Sequence, residues 1–199
     1  MDDIVINTLS RIDTLFHPDE LAYLALTSKI EMPIRDRWAY SLHRELGDVL
    51  NVSREWKRTD ISILNITSPR AIIELKAMYS FDAALDPKGI GGFTDAMSAD
   101  AKKAKTLATK DTEIYTVLLA THPDGPFPKE MNGIIKYVPG INNAIKAFGS
   151  SEKVKRAAMD AVNNDLKSRN VIAAGSLNGG KSFNTKVSIL YWLEKTTSK

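Results

Sequence analysis

The sequence predicts an α/β protein: a single domain, residues 1–199, with a central mixed β-sheet flanked by helices. Three observations lead there. A chain of 199 residues with 43% hydrophobic content is long enough for one sizeable core. Its segments follow the order helix, three strands, helix, strand, then a more varied tail, which suits a layered α/β arrangement. Finally, Ile114-Tyr115-Thr116-Val117-Leu118-Leu119-Ala120 is uncharged on both faces, as a strand covered on both sides must be.

Element by element, Pro18–Ser28 has helical composition, with Leu21, Leu24 and Leu26 as its apolar content. A longer helix is expected from about Pro33 to Asp48. Proline suits a first turn, and Ile34, Trp38, Leu42 and Leu46 recur every four residues along one face. A short strand follows around Val52–Trp56. Ile61–Ile66 is β-branched and nearly alternating, Asn65–Pro69 holds turn formers, and Ala71–Ala77 is apolar apart from one acid and one base. The glycines and proline of Phe81–Phe93 predict a loop, and Asp95–Lys110, rich in Ala and Lys, predicts a helix. After the 114–120 strand come a turn-rich loop at Pro123–Pro128, a basic helix at Ser151–Ser168, and two closing strands at Val171–Gly175 and Lys186–Leu193.

Charge is unevenly divided. Residues 1–100 hold 11 Lys/Arg against 16 Asp/Glu, a net −5, and residues 101–199 hold 16 against 8, a net +8. An acidic half that could hold a metal and a basic half that could hold phosphates suit a nucleic-acid enzyme, although solvated surface explains the same asymmetry. With no cysteine, disulfides, thiolate metal sites and a cysteine nucleophile are excluded. The acidic start, Met1-Asp2-Asp3-Ile4, is unlike a signal peptide and no apolar run is long enough to cross a bilayer, so a cytoplasmic protein without a membrane partner is expected.

The chemistry is concentrated in Asp60 and Glu74-Leu75-Lys76. On a strand, Glu74 and Lys76 project to one face. If the two strands pair through the Asn65–Pro69 turn, Asp60 falls roughly opposite Glu74. Two carboxylates and an ammonium then converge in an apolar sheet. Mg²⁺ prefers such oxygens and takes one or two protein carboxylates, leaving room for a substrate phosphate. A Glu74–Lys76 salt bridge on a solvated face is the ordinary explanation of an E-x-K tripeptide. The flanking Ala71-Ile72-Ile73 and Leu75-Ala77 argue against it, because charges in a buried strand must be paired or bind a metal.

Asp60-Ile61-Ser62-Ile63-Leu64, a short hairpin, and Ala71-Ile72-Ile73-Glu74-Leu75-Lys76-Ala77 resemble the PD-(D/E)xK nuclease superfamily, with thirteen residues between Asp60 and Glu74. Thr59 stands where the name-giving proline would be. The resemblance covers about residues 30–122 and implies a restriction-endonuclease-like core, with residues 123–199 as family-specific helices and closing strands. It also implies that Asp60 and Glu74 bind Mg²⁺, for which Mn²⁺ can substitute, and that Lys76 handles the water nucleophile. The implied reaction is phosphodiester hydrolysis by a metal-dependent DNA endonuclease, a type II restriction enzyme being the expected kind. A homodimer would suit cutting both strands of a palindrome. Two alternatives stay open: a non-catalytic DNA-binding or structural protein that keeps the fold, and a repair or recombination nuclease acting on DNA ends or RNA.

Family members often add an acid from the helix before the first strand, and here Glu31, Asp36 and Glu45 are available. The first strand should run back along that helix, which places the helix N-terminus nearest Asp60 and favours Glu31. As the first carboxylate of a helix, Glu31 is equally explained by the helix dipole.

Other signals carry less. Gly175–Ser182 matches the phosphate-loop pattern G-x-x-x-x-G-K-[ST], but the residues after it read as a strand rather than the required helix. A glycine-rich connection between strands that binds no nucleotide is expected there. His17, His43 and His122 share no ligand spacing, with only His122 placed to approach a substrate. Lys102, Lys103 and Lys105, and Lys153, Lys155 and Arg156, could meet a DNA backbone or simply be solvated.

Overall fold

The computed structural model describes residues 1–196. Six strands form one mixed sheet: β1 (Asn51–Arg54), β2 (Ile61–Asn65), β3 (Ser68–Tyr79), β4 (Glu113–Pro123), β5 (Val171–Ser182) and β6 (Thr185–Thr196), in the spatial order β1-β2-β3-β4-β6-β5. Every neighbouring pair is antiparallel except β3 and β4. Their parallel pairing requires a crossover, supplied by α4 (Ser80–Leu85) and α5 (Ile90–Lys105).

Helices cover both faces. On one side, α1 (Asp2–Ser10), α2 (Glu20–Thr27) and α3 (Glu31–Leu46) bring Val5, Leu9, Leu26, Ile34, Trp38 and Leu42 onto the odd-numbered residues of the central strands, among them Ile73, Leu75, Val117 and Leu119. On the other, α4, α5 and α7 (Ser151–Leu166) bury Ala83, Met97, Ala158 and Val162 against Met78, Leu118, Leu190 and Trp192. The two-residue alternation of a strand divides its side chains between these layers. Coverage on both sides is why β4 reads as a continuous apolar run. Between β4 and α7, α6 (Val138–Phe148) packs Val138 and Ile141 into the first layer.

Three expectations are corrected. Residues 81–93 are not a loop, because α4 occupies 80–85 and α5 already begins at Ile90. Gly91 and Gly92 lie in the first turn of α5 with nothing within 4 Å of a Cβ placed on them, so they signal no tight turn. The Gly175–Ser182 segment is not a connection, since all of it lies in β5, and Phe183–Asn184 alone turn the chain into β6. Both residues of that turn have positive φ, the twist a two-residue hairpin needs. No helix starts at Lys181, whose amide donates to Asp19 Oδ1 at 2.6 Å, so the phosphate-loop geometry is missing. The third correction is one of omission: α1 and α6 have no counterpart among the expected elements.

Among the described residues no helix is long and apolar enough to cross a membrane.

Candidate active site

β2 and β3 pair as a hairpin, with Ile61 opposite Ile73, so Asp60 and Glu74 stand at the next position along. There β2 ends while β3 runs on to Tyr79. Where β2 no longer accompanies it, β3 gives two amides to carboxylates. The Leu75 amide donates to Asp60 Oδ2 at 2.8 Å, and the Ala77 amide donates to Glu31 Oε1 at 2.7 Å. Buried amides must find an acceptor, and these two acids supply one each. Glu31 therefore does more than greet a helix dipole: it joins α3 to β3. The other two acids of α3 are engaged elsewhere. Asp36 is ion-paired with Arg35 and Arg54, and Glu45 pairs with Arg11.

Asp60 reaches its place through a constrained turn. Glu55, Lys57 and Arg58 all have positive φ, unusual for residues with a Cβ. Thr59 is buried, its hydroxyl bonded to the Trp56 carbonyl and to Ser62 Oγ, each at 2.7 Å. From α5, Lys103 Nζ donates to the Arg58 carbonyl at 2.6 Å. The turn that presents Asp60 is thus fastened to the helix opposite.

Glu74 and Lys76 point to the α5 side, yet they do not pair with each other. Lys76 forms an ion pair with Asp100 of α5, an acid that sequence reasoning missed. Burial alone would lower the Lys76 ammonium, but Asp100, with the charges of Glu31 and Asp60 behind it, outweighs that and holds it above the usual lysine value. Lys76 is accordingly a cation at neutral pH. Asp100 carries no signal in sequence: it is one of two acids on α5, and only the crossover brings it over β3.

One oxygen of Glu74 is left unsatisfied. Its side chain is 4% exposed, and its Oε1 is buried with no hydrogen-bond partner. Burial pushes its carboxyl up to about 8, reinforced by the charges of Asp60 and Asp100 and a hydrogen bond with the Asp60 carboxyl, while Lys103 pulls it back. A buried carboxyl flanked by acids either keeps its proton or takes a cation. Asp60 and Glu74 together offer a hard cation two carboxylates, and the orphaned Oε1 is an oxygen with coordination to spare. The described residues contain no group of three or more acids and histidines arranged as a ready-made metal cage. A two-carboxylate site is instead what Mg²⁺ adopts when a phosphate completes its shell. The donor set fits that ion.

The remaining candidates lie apart. His122 is 3% exposed, and its Nδ1 shares a 2.8 Å hydrogen bond with Ser80 Oγ. Burial, then the nearby Lys155, push its pKa down to about 4 against the pull of Asp124, so it is a neutral interior residue and does not approach a substrate. His17 and His43 are exposed. Lys102 and Lys105 are exposed on the last turns of α5, whereas Lys155 and Arg156 flank a groove between α7 and β5–β6.

Comparison of the chain with family models, curated proteins and solved structures finds no match.

Proposed function

We propose that the chain is a metal-dependent nuclease that hydrolyses phosphodiester bonds in DNA at the Asp60–Glu74–Lys76 cluster, on a restriction-endonuclease-like core. The observation that carries this reading is Glu74: a buried carboxyl with an orphaned oxygen, set beside Asp60 on a strand that its neighbour has abandoned. Asp60 and Glu74 would hold Mg²⁺ or Mn²⁺. When bound, such an ion polarises a phosphoryl oxygen and makes a coordinated water acidic.

The protein residues divide the rest of the work. Lys76, charged and half-buried beside the acids, orients the attacking water or neutralises charge that grows on the phosphate. Its raised pKa suits a charge stabiliser better than a proton acceptor. Asp100 holds the ammonium in place, and Glu31 fixes α3 against the strand one residue past Lys76. The competing reading, a protein that keeps these acids for structure, draws on the Lys76–Asp100 pair, since an ion pair can be an end in itself. It leaves Glu74 unexplained, and an uncompensated buried acid is costly to retain.

The test is incubation with plasmid DNA and with circular single-stranded DNA, each in Mg²⁺ and in EDTA. Metal-dependent cleavage is expected, with discrete fragments marking a site-specific endonuclease and a smear a non-specific one. Lys76→Ala should fold and bind metal yet cut roughly a hundredfold more slowly in single turnover. Asp60→Ala should lose metal binding together with activity. Cleavage at the wild-type rate by Lys76→Ala would reduce the lysine to a partner of Asp100, and intact DNA under all conditions would favour the structural reading.

A further inference from the structure

The catalytic strand continues into a cavity. Ala77, Met78 and Tyr79, the three residues after Lys76, form one wall of a space of about 250 Å³ whose other sides include Lys29, Phe93 and Tyr137. At about 3.3 Å per strand residue, Tyr79 lies roughly 10 Å along β3 from Lys76. The Tyr79 side chain faces the α1–α3 layer and Lys76 faces α5, but the cavity takes lining from both layers, with Met78 and Phe93 on the α5 side, and from Ala77, whose amide Glu31 holds.

The cavity is lined for a flat ring. Tyr79 and Tyr137 meet edge to face, with centroids 5.1 Å apart and planes at 72°, and Phe81 backs both at 5.6 and 6.1 Å. Tyr79 is pinned through its hydroxyl, which donates to the Ala25 carbonyl at 2.6 Å. Tyr137 behaves differently. It is 49% exposed, and its φ is +60°, a conformation uncommon for an aromatic residue. The strain is held by the surroundings: the Lys136 amide donates to the Leu26 carbonyl at 2.8 Å, and the Ile141 amide to the Tyr137 carbonyl at 3.0 Å. Behind it, a Cβ on Gly140 would come within 2.6 Å of the Phe81 ring, so only glycine lets α6 press that close. A large aromatic, rigidly presented with half its surface bare, is more than core packing requires. Backbone strain of this kind collects at ligand sites. Lys29, exposed on the rim, adds a cation for a phosphate, and Asp82 adds a carboxyl that can accept from a ring amine.

We propose that this cavity receives one nucleobase of the substrate strand, stacked on Tyr137, so that the preferred substrate is single-stranded or has an unpaired base beside the scissile phosphate; this rests on the nuclease reading. Every base has a π-face, so stacking is tolerant of sequence. Lifting a base out of a duplex costs a few kcal/mol, and a strand without a partner avoids that cost.

Binding can be measured without cleavage. Fluorescence anisotropy in EDTA would compare a labelled single-stranded 12-mer, the same sequence as a blunt duplex, and a mononucleotide competitor. The single strand should bind about tenfold or more tighter than the duplex, and the mononucleotide should compete only weakly. Tyr137→Ala should lose about tenfold in single-strand affinity, Tyr137→Phe should keep it, and duplex affinity should change in neither. Because Tyr137→Ala could perturb α6, the wild-type chain would also be photo-crosslinked to a strand carrying 5-iodouracil, with the adduct expected on Tyr137, Tyr79 or Phe93. Equal affinity for strand and duplex, mononucleotide binding without strand binding, or adducts confined to other surfaces would overturn the proposal. Strand binding and crosslinking without cleavage in Mg²⁺ would keep the cavity and discard the nuclease. Cleavage by a chain whose single-strand affinity ignores Tyr137→Ala would do the reverse.

Discussion

Two buried glutamates share one row of the sheet and meet opposite fates. Glu74 on β3 stands in register with Thr116 on β4, and Thr116 with Glu194 on β6. Their exposures, 4% and 8%, are nearly equal. Glu194 is completed by protein: Oε2 accepts from Thr116 Oγ1 at 2.9 Å and from Arg169 Nη2 at 2.6 Å, and Arg169 Nη1 continues to the Thr94 carbonyl at 3.0 Å. Glu74 has an acid beside it, an orphaned oxygen, and a lysine two residues on that has turned away to Asp100. Burial alone does not mark a functional acid. What distinguishes the two is whether the counter-charge is bonded to the acid: Arg169 binds Glu194, whereas Lys103, the cation that acts on Glu74, donates to the Arg58 carbonyl instead.

A large effect is expected on the completed side. Arg169→Ala would leave Glu194 buried beside a lost cation, destabilising the chain by about 3 kcal/mol, roughly 6–12 °C in Tm for a protein of this size. Metal affinity at Asp60 and Glu74 should stay as in the wild type. Thermal melts and metal titration of the variant check both halves. If Arg169→Ala weakened metal binding as strongly as Asp60→Ala, the row would be one coupled unit and the contrast would fail.

How far the contrast was legible in sequence follows the same line. Strand alternation and the Asn65–Pro69 turn were enough to set Asp60 against Glu74, because a hairpin is a local object and its register follows from its own residues. Glu31 followed from the direction of the first strand along α3. Asp100, Arg169 and the cavity around Tyr137 were not legible. Each depends on where a crossover or a tail segment comes to rest over β3 and β4, and nothing local records that. The unexpected helices have local causes. Asp2 and Asp3 are favourable in the first turn of α1, but the acidic start is read only against a signal peptide and not as a helix N-terminus. The Pro139-Gly140 pair that opens α6 resembles a turn, whereas proline is at home in a first helical turn and Gly140 answers to Phe81 across the fold.

An effect of similar size should appear on the unfinished side, as a pH dependence. Burial, with Asp60 and Asp100 nearby, holds the folded Glu74 carboxyl up to about 8, above the ordinary glutamate value of 4.5. Below 4.5 both folded and unfolded chains carry the proton. Between 4.5 and 8 the unfolded chain ionises first, so this group's contribution to stability declines as pH rises through that window. Glu74→Gln cannot ionise. In EDTA its Tm should gain on the wild type steadily from pH 5 to pH 8, by roughly 7–14 °C in all. Parallel Tm curves across that range would show that Glu74 is satisfied in a way the orphaned Oε1 does not suggest.

Whether Asp60 and Glu74 are an unfinished cation site can be read from calorimetric titration of Mn²⁺ or Mg²⁺ into the metal-free chain at pH 7, in two buffers of different ionisation heat. Saturable binding is expected, with release of about one proton per ion as Glu74 gives up its hydrogen, and loss of both in Asp60→Ala and in Glu74→Gln. Binding that is equally strong in Glu74→Gln, or no binding by the wild-type chain, would contradict that assignment.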